Sequence, residues 1–454
     1  MSPPVLGADD NVYRSPEDPA AAIIGEARAL MTQGASLALQ RLSEVFYLDV
    51  SSDAVIDNVL AMMRTAMAFS GEQASEELSL FERLQAERGN AESYFRIGAR
   101  FQELGNPRVA LPFLIRARDL AAPHTTEFQI ALGTTLARAH MQSGAYQAAV
   151  LEYHKVSELL SGLPGWLMLE LAECYALLRQ CDDAERVLEA APREALSDAA
   201  DYEQALEETA DLIARVREFT TVADPGIREW HYAQTRGAVM SVSPTDVGFN
   251  GRYPAIRLEV ASVALLCAGL CKWLSLLDLR PKCVSWLGPA AEPLALHIAA
   301  LLSNGPTSTA PWSPGSNIDG DAPGLLVLAH SWDVQYLASE LDLQELATAR
   351  SGMLLFCLQT GSTEPQPVTP DISGMLAESA ELPWETPGTT AAQTAADWAA
   401  ALAEQAPDTG ATEALATELE QAYEGFTDLL LNHRDGTLPR RILPGHSPLN
   451  APNN

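Results

Sequence analysis

The stretch from Ala91 to Ala121, AESYFRIGARFQELGNPRVALPFLIRARDLA, decides the fold because its pattern returns twice later in the chain. Each copy has a small residue after an apolar one, a large residue about three positions later, and an alanine inside a second apolar stretch. Those alanines, Ala110, Ala149 and Ala184, are 39 and 35 residues apart. Helix-turn-helix repeats have a period of about 34 residues. The sequence therefore predicts a stack of helical hairpins.

Small residues recur in these copies for a physical reason. Two antiparallel helices approach closely only where side chains are small, as at Gly98 and Ala110 in the first copy and at Ala137 and Ala149 in the second. A single hairpin cannot bury its apolar face, and stacking on a neighbour buries it. We therefore expect the large residues of each copy to fill the layer between hairpins.

Residues 91–192 resemble the tetratricopeptide repeat (TPR) family in the small residue of the first helix, the large residue after it, the alanine of the second helix and the closing Pro192. Tyr94, Gly133 and Met168 replace the tryptophan usual near the start of that family's repeat. The resemblance implies that first helices line a concave groove for a protein partner. The residues it places there are Phe95, Ala99, Gln102, Thr134, Arg138, Met141, Trp166, Leu169 and Glu173.

The groove implied by the resemblance mixes apolar residues with single charges, which suits an extended or helical peptide. It lacks the several lysines and asparagines with which some family members clamp a chaperone's C-terminal carboxylate. A chaperone C-terminus is therefore disfavoured as the partner. The alternative is a groove filled by the first or last segment of this chain.

Composition limits the classes of partner. The 454 residues include 29 basic and 60 acidic residues, for a net charge of −31. Nucleic-acid binding requires clustered lysine and arginine, so this balance excludes it and favours a basic partner. Only three residues are lysines, and with the abundant alanine this suggests a bacterial source.

The sequence predicts no targeting or membrane segment. Its first residues, MSPPVLGADD, lack the basic and apolar regions of a secretory signal, which predicts a cytoplasmic protein. The longest apolar run, 260–270, is shorter than the roughly 20 residues of a spanning helix, and Lys272 follows it. We expect a buried core helix there and no membrane insertion.

A different pattern begins near residue 227. Three short apolar runs, CVSWL (283–287), LLVLA (325–329) and MLLFCL (353–358), alternate with helix-like segments, which predicts a mainly parallel sheet with crossover helices. The fold class is therefore an all-α, TPR-like array followed by a small α/β domain and C-terminal helices. The expected parts are a mobile segment (1–20), a helical region (21–89), the repeats with a capping helix (90–222), the α/β domain (227–385) and C-terminal helices with an extended tail (386–454).

Ligands of open α/β sheets bind beyond the carboxyl ends of the strands, so the loops at Gly288 and at His330, Ser331 and Asp333 form the candidate ligand site. No GxGxxG, Walker-type or GxSxG motif occurs. The three neighbours in the second loop are too close in sequence to converge as a catalytic set. A turn or cap in which Ser331 or Asp333 binds free backbone N–H groups is favoured.

The order of strands and helices from 282 to 361 also resembles the phosphoribosyltransferase-like fold. Enzymes of that family carry paired acids and a Thr-Gly-rich loop after the third strand, where this chain reads AHSWD. The difference removes the phosphate-binding loop and implies a non-catalytic relative.

No metal or cofactor is predicted. Cys267 and Cys271 share a helix face but lack further ligands at zinc-like spacing, and Asp319 and Asp321 form an incomplete calcium loop. His297 lies in an apolar helix, where we expect a core histidine with its hydrogen bonds satisfied.

Together these features favour a scaffold, adaptor or chaperone-like protein that binds a protein partner through its helical repeats, without recognisable catalytic residues. One alternative is a diverged phosphoribosyltransferase-like or other nucleotide- or phosphate-binding enzyme that the repeats target. A second alternative is a structural subunit of a larger assembly.

Overall fold

The fold is that of a computed structural model. The described residues are 19–30, 38, 41, 42, 44–47, 52–70, 76–121, 125–192, 199–222, 225–241, 255–302, 308–313, 324–331, 333, 353–360, 370–377, 379–385, 394–405 and 409–424. They group into two compact units, 1–174 and 175–454. The acidic loop with Asp319 and Asp321, most of the predicted mobile segment and the C-terminal tail lie outside the described residues. The domain boundaries expected from the sequence stay predictions.

The described part of the first unit is built from helices. They are α1 (Pro19–Leu30), a 3-10 helix (Glu44–Tyr47), α2 (Asp53–Ser70), α3 (Glu76–Ala86), α4 (Ala91–Glu103), α5 (Pro107–Leu120), α6 (Thr126–Gln142), α7 (Tyr146–Leu160) and α8 (Gly165–Leu177), which ends just past the boundary. Within this unit α4 packs mainly on α5, and α6 packs mainly on α7. The short turns inside each pair make the paired helices antiparallel.

Local sequence sets the ends of the first hairpin. The Asn90 side chain accepts a hydrogen bond from the Glu92 backbone N–H and caps α4, while Pro107 occupies the start of α5, where no intrahelical N–H is needed. Between them Gly105 adopts φ +73°. Glycine reaches this left-handed region without steric cost.

The core of the first unit confirms the close helix contact expected at Gly98. A methyl group at Gly98 would lie 2.6 Å from Leu114 Cγ and 3.2 Å from the Ala110 carbonyl oxygen, so only glycine fits. In the same core four phenylalanine rings meet, with centroids 4.9 to 6.3 Å apart. They are Phe46, Phe81, Phe101 and Phe113.

The second unit combines helices with a parallel sheet. Its helices are α9 (Cys181–Ala190), α10 (Ala199–Glu218), α11 (Ile227–Thr235), α12 (Val260–Leu276), a 3-10 helix (Pro289–Ala291), α13 (Glu292–Leu301), α14 (Ala395–Glu404) and α15 (Thr409–Ala422). Its strands are β1 (Ala238–Ser241), β2 (Ala255–Arg257), β3 (Cys283–Leu287), β4 (Ser308–Pro311), β5 (Gly324–His330), β6 (Met353–Thr360), β7 (Ile372–Leu376) and β8 (Ser379–Glu381).

Six of these strands form one sheet in the order β4-β3-β5-β6-β7-β1, with every neighbouring pair parallel. In the register of the centre, Leu325 of β5 lies between Val284 of β3 and Leu354 of β6. Every residue of β5 and β6 is buried, which matches their continuous apolar sequences. The predicted parallel sheet is confirmed, and β2 and β8 form a separate parallel pair.

Helices α12 and α15 pack together beside the sheet. The run 260–270 lies within α12, whose Leu270 and Trp273 belong to the core. The Tyr423 ring lies 5.8 Å from that of Trp273, and its hydroxyl accepts a 2.6 Å hydrogen bond from the Val239 backbone N–H. Along the stretches that the structure describes, we find no helix with both the length and the apolar character needed to cross a bilayer.

Candidate functional site

The three predicted repeats share one turn geometry. The residue two positions before each second helix has a positive φ: Gly105 at +73°, Gly144 at +81° and Arg179 at +61°. In each turn the next backbone N–H donates a 2.8 Å hydrogen bond to the carbonyl of the residue five positions earlier. The three accepting residues are Phe101, His140 and Tyr175. The turns are therefore structurally equivalent, each within its own unit.

The residues expected in the groove are only partly accessible. Phe95 and Gln102 lie on α4, Thr134, Arg138 and Met141 on α6, and Trp166, Leu169 and Glu173 on α8. Trp166 is 40% exposed, but Leu169 is only 3% exposed. The prediction that Leu169 lines an accessible groove was therefore wrong, because its side chain is buried. Phe95 packs edge to face on Phe128, with ring centroids 5.5 Å apart.

Arg138 is held inside the first unit. Its Nε donates to both carboxylate oxygens of Glu170, at 2.9 and 3.0 Å, and so ties α6 to α8. The Tyr153 hydroxyl of α7 donates to the same carboxylate at 2.7 Å. Burial, reinforced by the Glu170 charge, raises the pKa of Tyr153, so its hydroxyl remains a donor. Three successive helices therefore meet on one carboxylate.

An open cavity of about 230 Å³ lies between the end of α5 and helices α6 and α7. Its walls are mostly apolar. The lining residues are Arg118, Ala121, Gln129, Leu132, Gly133, Leu136, Glu152, Lys155, Val156 and Leu159. The sequence did not indicate this cavity, because its walls come from three helices and carry no motif.

Charges collect on one side of this cavity. Glu152 is buried, and one of its oxygens, Oε1, accepts from Lys155 Nζ at 2.8 Å and from Arg118 at 3.2 Å. Both cations are about half exposed. Burial lowers the pKa of the neighbouring His140, and the nearby Arg118 and Lys155 charges lower it further against the opposing effect of Glu152. One carboxylate thus faces two cations.

Exposed large apolar side chains concentrate in one stretch of the chain, on α7 and at the start of α8. Of the eight such residues in the described part of the chain, four lie between 151 and 166. These four, Leu151, Leu159, Leu160 and Trp166, are called the apolar patch below. Leu159 belongs both to the patch and to the cavity wall. Isolated exposed leucines are ordinary, whereas a concentration of them marks an interaction surface.

The second unit contains the candidate ligand loop expected from the sequence. Strand β4 lies next to β3 towards one edge of the sheet, whereas β6 lies next to β5 towards the opposite edge. The strand order therefore reverses between β3 and β5. Ligands of such sheets bind where this order reverses, beyond the carboxyl ends of the strands. Gly288 follows β3 and His330 ends β5, so these two residues flank the reversal.

His330 is bound on both ring nitrogens. Its Nδ1 lies 3.1 Å from Gln359 Oε1, and its Nε2 lies 3.0 Å from both oxygens of Glu385. The Gln359 amide donates to the Ala377 carbonyl at 2.8 Å, so its oxygen faces the ring and accepts from Nδ1–H. Burial disfavours the charged imidazolium and so lowers the pKa of His330. The hydrogen bond and charge of Glu385 outweigh this effect, and the pKa of His330 is raised. Its charge in turn lowers the pKa of Glu385 against the effect of burial.

Asp333 acts as a cap beside this histidine. Its Oδ2 accepts hydrogen bonds from the backbone N–H groups of Ala329, at 3.0 Å, and His330, at 2.9 Å. Burial raises the pKa of Asp333 despite these hydrogen bonds. Ser331 is buried, and His330 is only 1% exposed. Sequence reasoning missed Glu385, which lies 55 residues from His330 without a motif.

Among the described residues, the other buried titratable groups are not arranged as a metal site. His297 is buried, but neither ring nitrogen has a hydrogen-bond partner among the described residues, so the expected satisfied histidine was wrong. Burial lowers the pKa of His297 and raises that of the Cys271 thiol to about 12. Within the described ranges, no three His, Cys, Asp or Glu side chains are placed to hold an ion.

No protein-family model matches this chain, and no curated protein is significantly similar to it. The resemblances of 91–192 to TPR proteins and of 282–361 to the phosphoribosyltransferase-like fold therefore stay predictions.

Proposed function

We propose that this protein is a scaffold or adaptor whose first unit binds a segment of another protein at the apolar patch and the cavity beside it. The observation that carries the proposal is that four exposed large apolar side chains lie between residues 151 and 166, and that one of them, Leu159, also lines an open cavity. Burial of apolar surface provides about 25 cal/mol per Å². Tryptophan is enriched among the interface residues that contribute most of the binding energy, which singles out Trp166.

Rigid helices support the same proposal. The hairpin turns repeat one geometry, and the Glu170 carboxylate joins three successive helices through Arg138 and Tyr153. A surface built on such helices is already formed before a partner arrives. Binding then costs little ordering of the scaffold, which favours affinity.

The polar cluster of the second unit supports an enzyme less well. Both His330 nitrogens bind protein groups, and the Asp333 carboxylate binds backbone N–H groups. A general acid or base must reach the substrate, and His330 is almost fully buried. These contacts suit a role in holding β5, β6 and the segment around Glu385 together.

The proposal is tested by affinity capture from the native host. The patch variant is Leu151→Ser with Trp166→Ser, and neither residue lines the cavity. The matched control, Leu276→Ser with Leu301→Ser, changes two similarly exposed leucines of the second unit. Circular dichroism confirms that each variant is folded.

We expect wild type and the control to retain the same partner and the patch variant to lose it. The partner is then purified, and its dissociation constant with each variant is measured by calorimetry. Equal affinity for wild type and the patch variant would refute the proposed surface.

A further inference from the structure

The cavity beside the apolar patch has the shape of a side-chain pocket. Leu132, Leu136 and Val156 are buried and form its inner wall. At Gly133 a methyl group would lie 2.7 Å from a Val156 methyl carbon, so the missing side chain lets α6 and α7 approach there. The outer wall is open, since Leu159 and Lys155 are exposed.

Its volume matches an aromatic group. An apolar protein cavity of about 150 Å³ holds a benzene molecule. The volume of about 230 Å³ therefore accommodates a phenyl or indole ring. Apart from Gln129, the polar lining residues are the three charged ones on one side, so a ring would meet mainly carbon atoms.

The charged side of the cavity determines which group accompanies the ring. Arg118 and Lys155 both bind the same oxygen of Glu152, so two positive charges share one negative charge. Asp119 lies 3.8 Å from Arg118, which is too far for a hydrogen bond, so its carboxylate does not occupy the Arg118 N–H groups. Arg118 and Lys155 each have further N–H groups that Glu152 does not use, and a carboxylate at the rim would accept charge-assisted hydrogen bonds from them.

We propose that the cavity between α5, α6 and α7 binds an aromatic side chain of the partner that has a carboxylate next to it, with the ring among the leucines and the carboxylate beside Arg118 and Lys155. This inference rests on the proposed function, because it names the part of the partner that anchors it. The partner is then locally acidic at its anchor, in contrast to the basic partner expected from the net charge.

Small probes test the cavity without the partner. Binding of 3-phenylpropionate and of its uncharged amide is measured by protein-observed NMR on the full chain. We expect both to shift α6 and α7 resonances, and the carboxylate to bind roughly three- to fivefold more tightly. Lys155→Met should reduce this preference to nearly one, whereas Lys272→Met, an exposed lysine of the second unit, should leave it unchanged.

A second pair of variants tests the location. Gln129→Trp places a ring in the cavity from a half-buried position and should abolish binding of both probes. Gln147→Trp, on the exposed face of α7, should have no effect. Probe binding that survives Gln129→Trp, or equal affinity for acid and amide, would overturn the inference.

The probe experiment and the capture experiment test different proposals, so a negative result in one is distinguishable from a negative result in the other. Specific probe binding without a captured partner would refute the proposed function and leave the cavity's preference standing. Capture that depends on the patch but survives Gln129→Trp would refute the cavity as the anchor site and leave the scaffold function standing.

Discussion

Arg179 lies at the turn position that glycine occupies in the other two predicted repeats, as Gly105 and Gly144. Its φ of +61° is uncommon for a residue with a side chain. The guanidinium nevertheless donates to the carbonyl oxygens of Thr220 and Val222, just beyond the end of α10. Arginine thus accepts a less favourable backbone conformation and supplies donors to carbonyl oxygens of the segment that follows α10.

Substitution of Arg179 separates these two effects. Arg179→Gly relieves backbone strain of about 1 kcal/mol but removes charged hydrogen bonds that contribute about 1.5–3 kcal/mol. We therefore expect a net loss of about 1 kcal/mol in the free energy of unfolding, measured by urea denaturation. A more stable Arg179→Gly protein would show that the capping contacts contribute nothing.

Gly98 provides a test of close helix packing. Gly98→Ala should destabilise the protein by about 1–3 kcal/mol, because the added methyl group meets the buried Leu114 side chain. The matched control is Gly25→Ala in α1, where nothing lies within 4 Å of the new methyl group. That change should stabilise by roughly 0.5–1 kcal/mol, as expected for a helix interior. Thermal unfolding of both variants measures these changes. A Gly98→Ala variant that is more stable than wild type would contradict the close contact of Gly98 with Leu114.

The ion pair of His330 and Glu385 predicts a pH dependence of stability. The pKa of His330 is raised above its ordinary 6.5, so its contribution is complete below pH 6.5 and is lost as pH rises through the folded-state pKa. The pKa of Glu385 is lowered below 4.5, so its contribution is present above pH 4.5 and is lost as pH falls through the folded-state pKa. The pair therefore stabilises most between these limits.

Glu385→Gln isolates this effect. We expect the variant to be less stable than wild type by about 1 kcal/mol at pH 6, because a partly exposed charged hydrogen bond is lost. The difference should shrink towards pH 9, as pH rises through the folded-state pKa of His330. Denaturant titrations at the two values measure it, and an equal difference at both would contradict an ionic contact.

At the scale of helices, the contacts of Glu170 explain why α6, α7 and α8 stay aligned. A double-mutant cycle with Arg138→Met and Glu170→Gln should give a coupling energy of about 0.5–1 kcal/mol, since the pair is partly exposed. Tyr153→Phe should cost about 1 kcal/mol, because a buried hydrogen bond is lost. Chemical denaturation measures both, and strictly additive effects of the first two substitutions would show that the pair does not couple the helices.

The apolar pattern of the sequence predicted the helices and strands in which that pattern is strong. It did not predict strands in which the pattern is weak. The central strands β3, β5 and β6 were predicted because their apolar runs are continuous. β4, STAP, is exposed at every position and so lacks an apolar signal. β7 contains Gly374, where a methyl group would lie 2.6 Å from the Leu358 carbonyl oxygen, so the strand uses a residue that in sequence suggests a turn.

The candidate sites were only partly predictable for a related reason. Gly288 and His330 follow strands that the sequence identifies, so their position at the sheet edge could be expected. Glu385 reaches His330 only through the folded chain, and the walls of the cavity come from three separate helices. Leu169 was misplaced because a copy-by-copy transfer takes no account of what packs on each helix.

At the scale of the whole molecule, each compact unit has its own core and its own candidate site. The apolar patch and the cavity belong to the first unit, and the His330 cluster belongs to the second. We propose that the function lies in the first unit because its apolar patch is exposed, whereas the groups of the His330 cluster are buried or bind one another.

The most direct test of this claim is the hydrogen-exchange footprint of the complex with the captured partner. We predict that binding slows amide exchange in 126–166, which covers α6, α7 and the apolar patch, and leaves β5 and β6 unchanged. Protection confined to the ends of β3, β5 and β6, with none in 126–166, would contradict the account and place the function in the second unit.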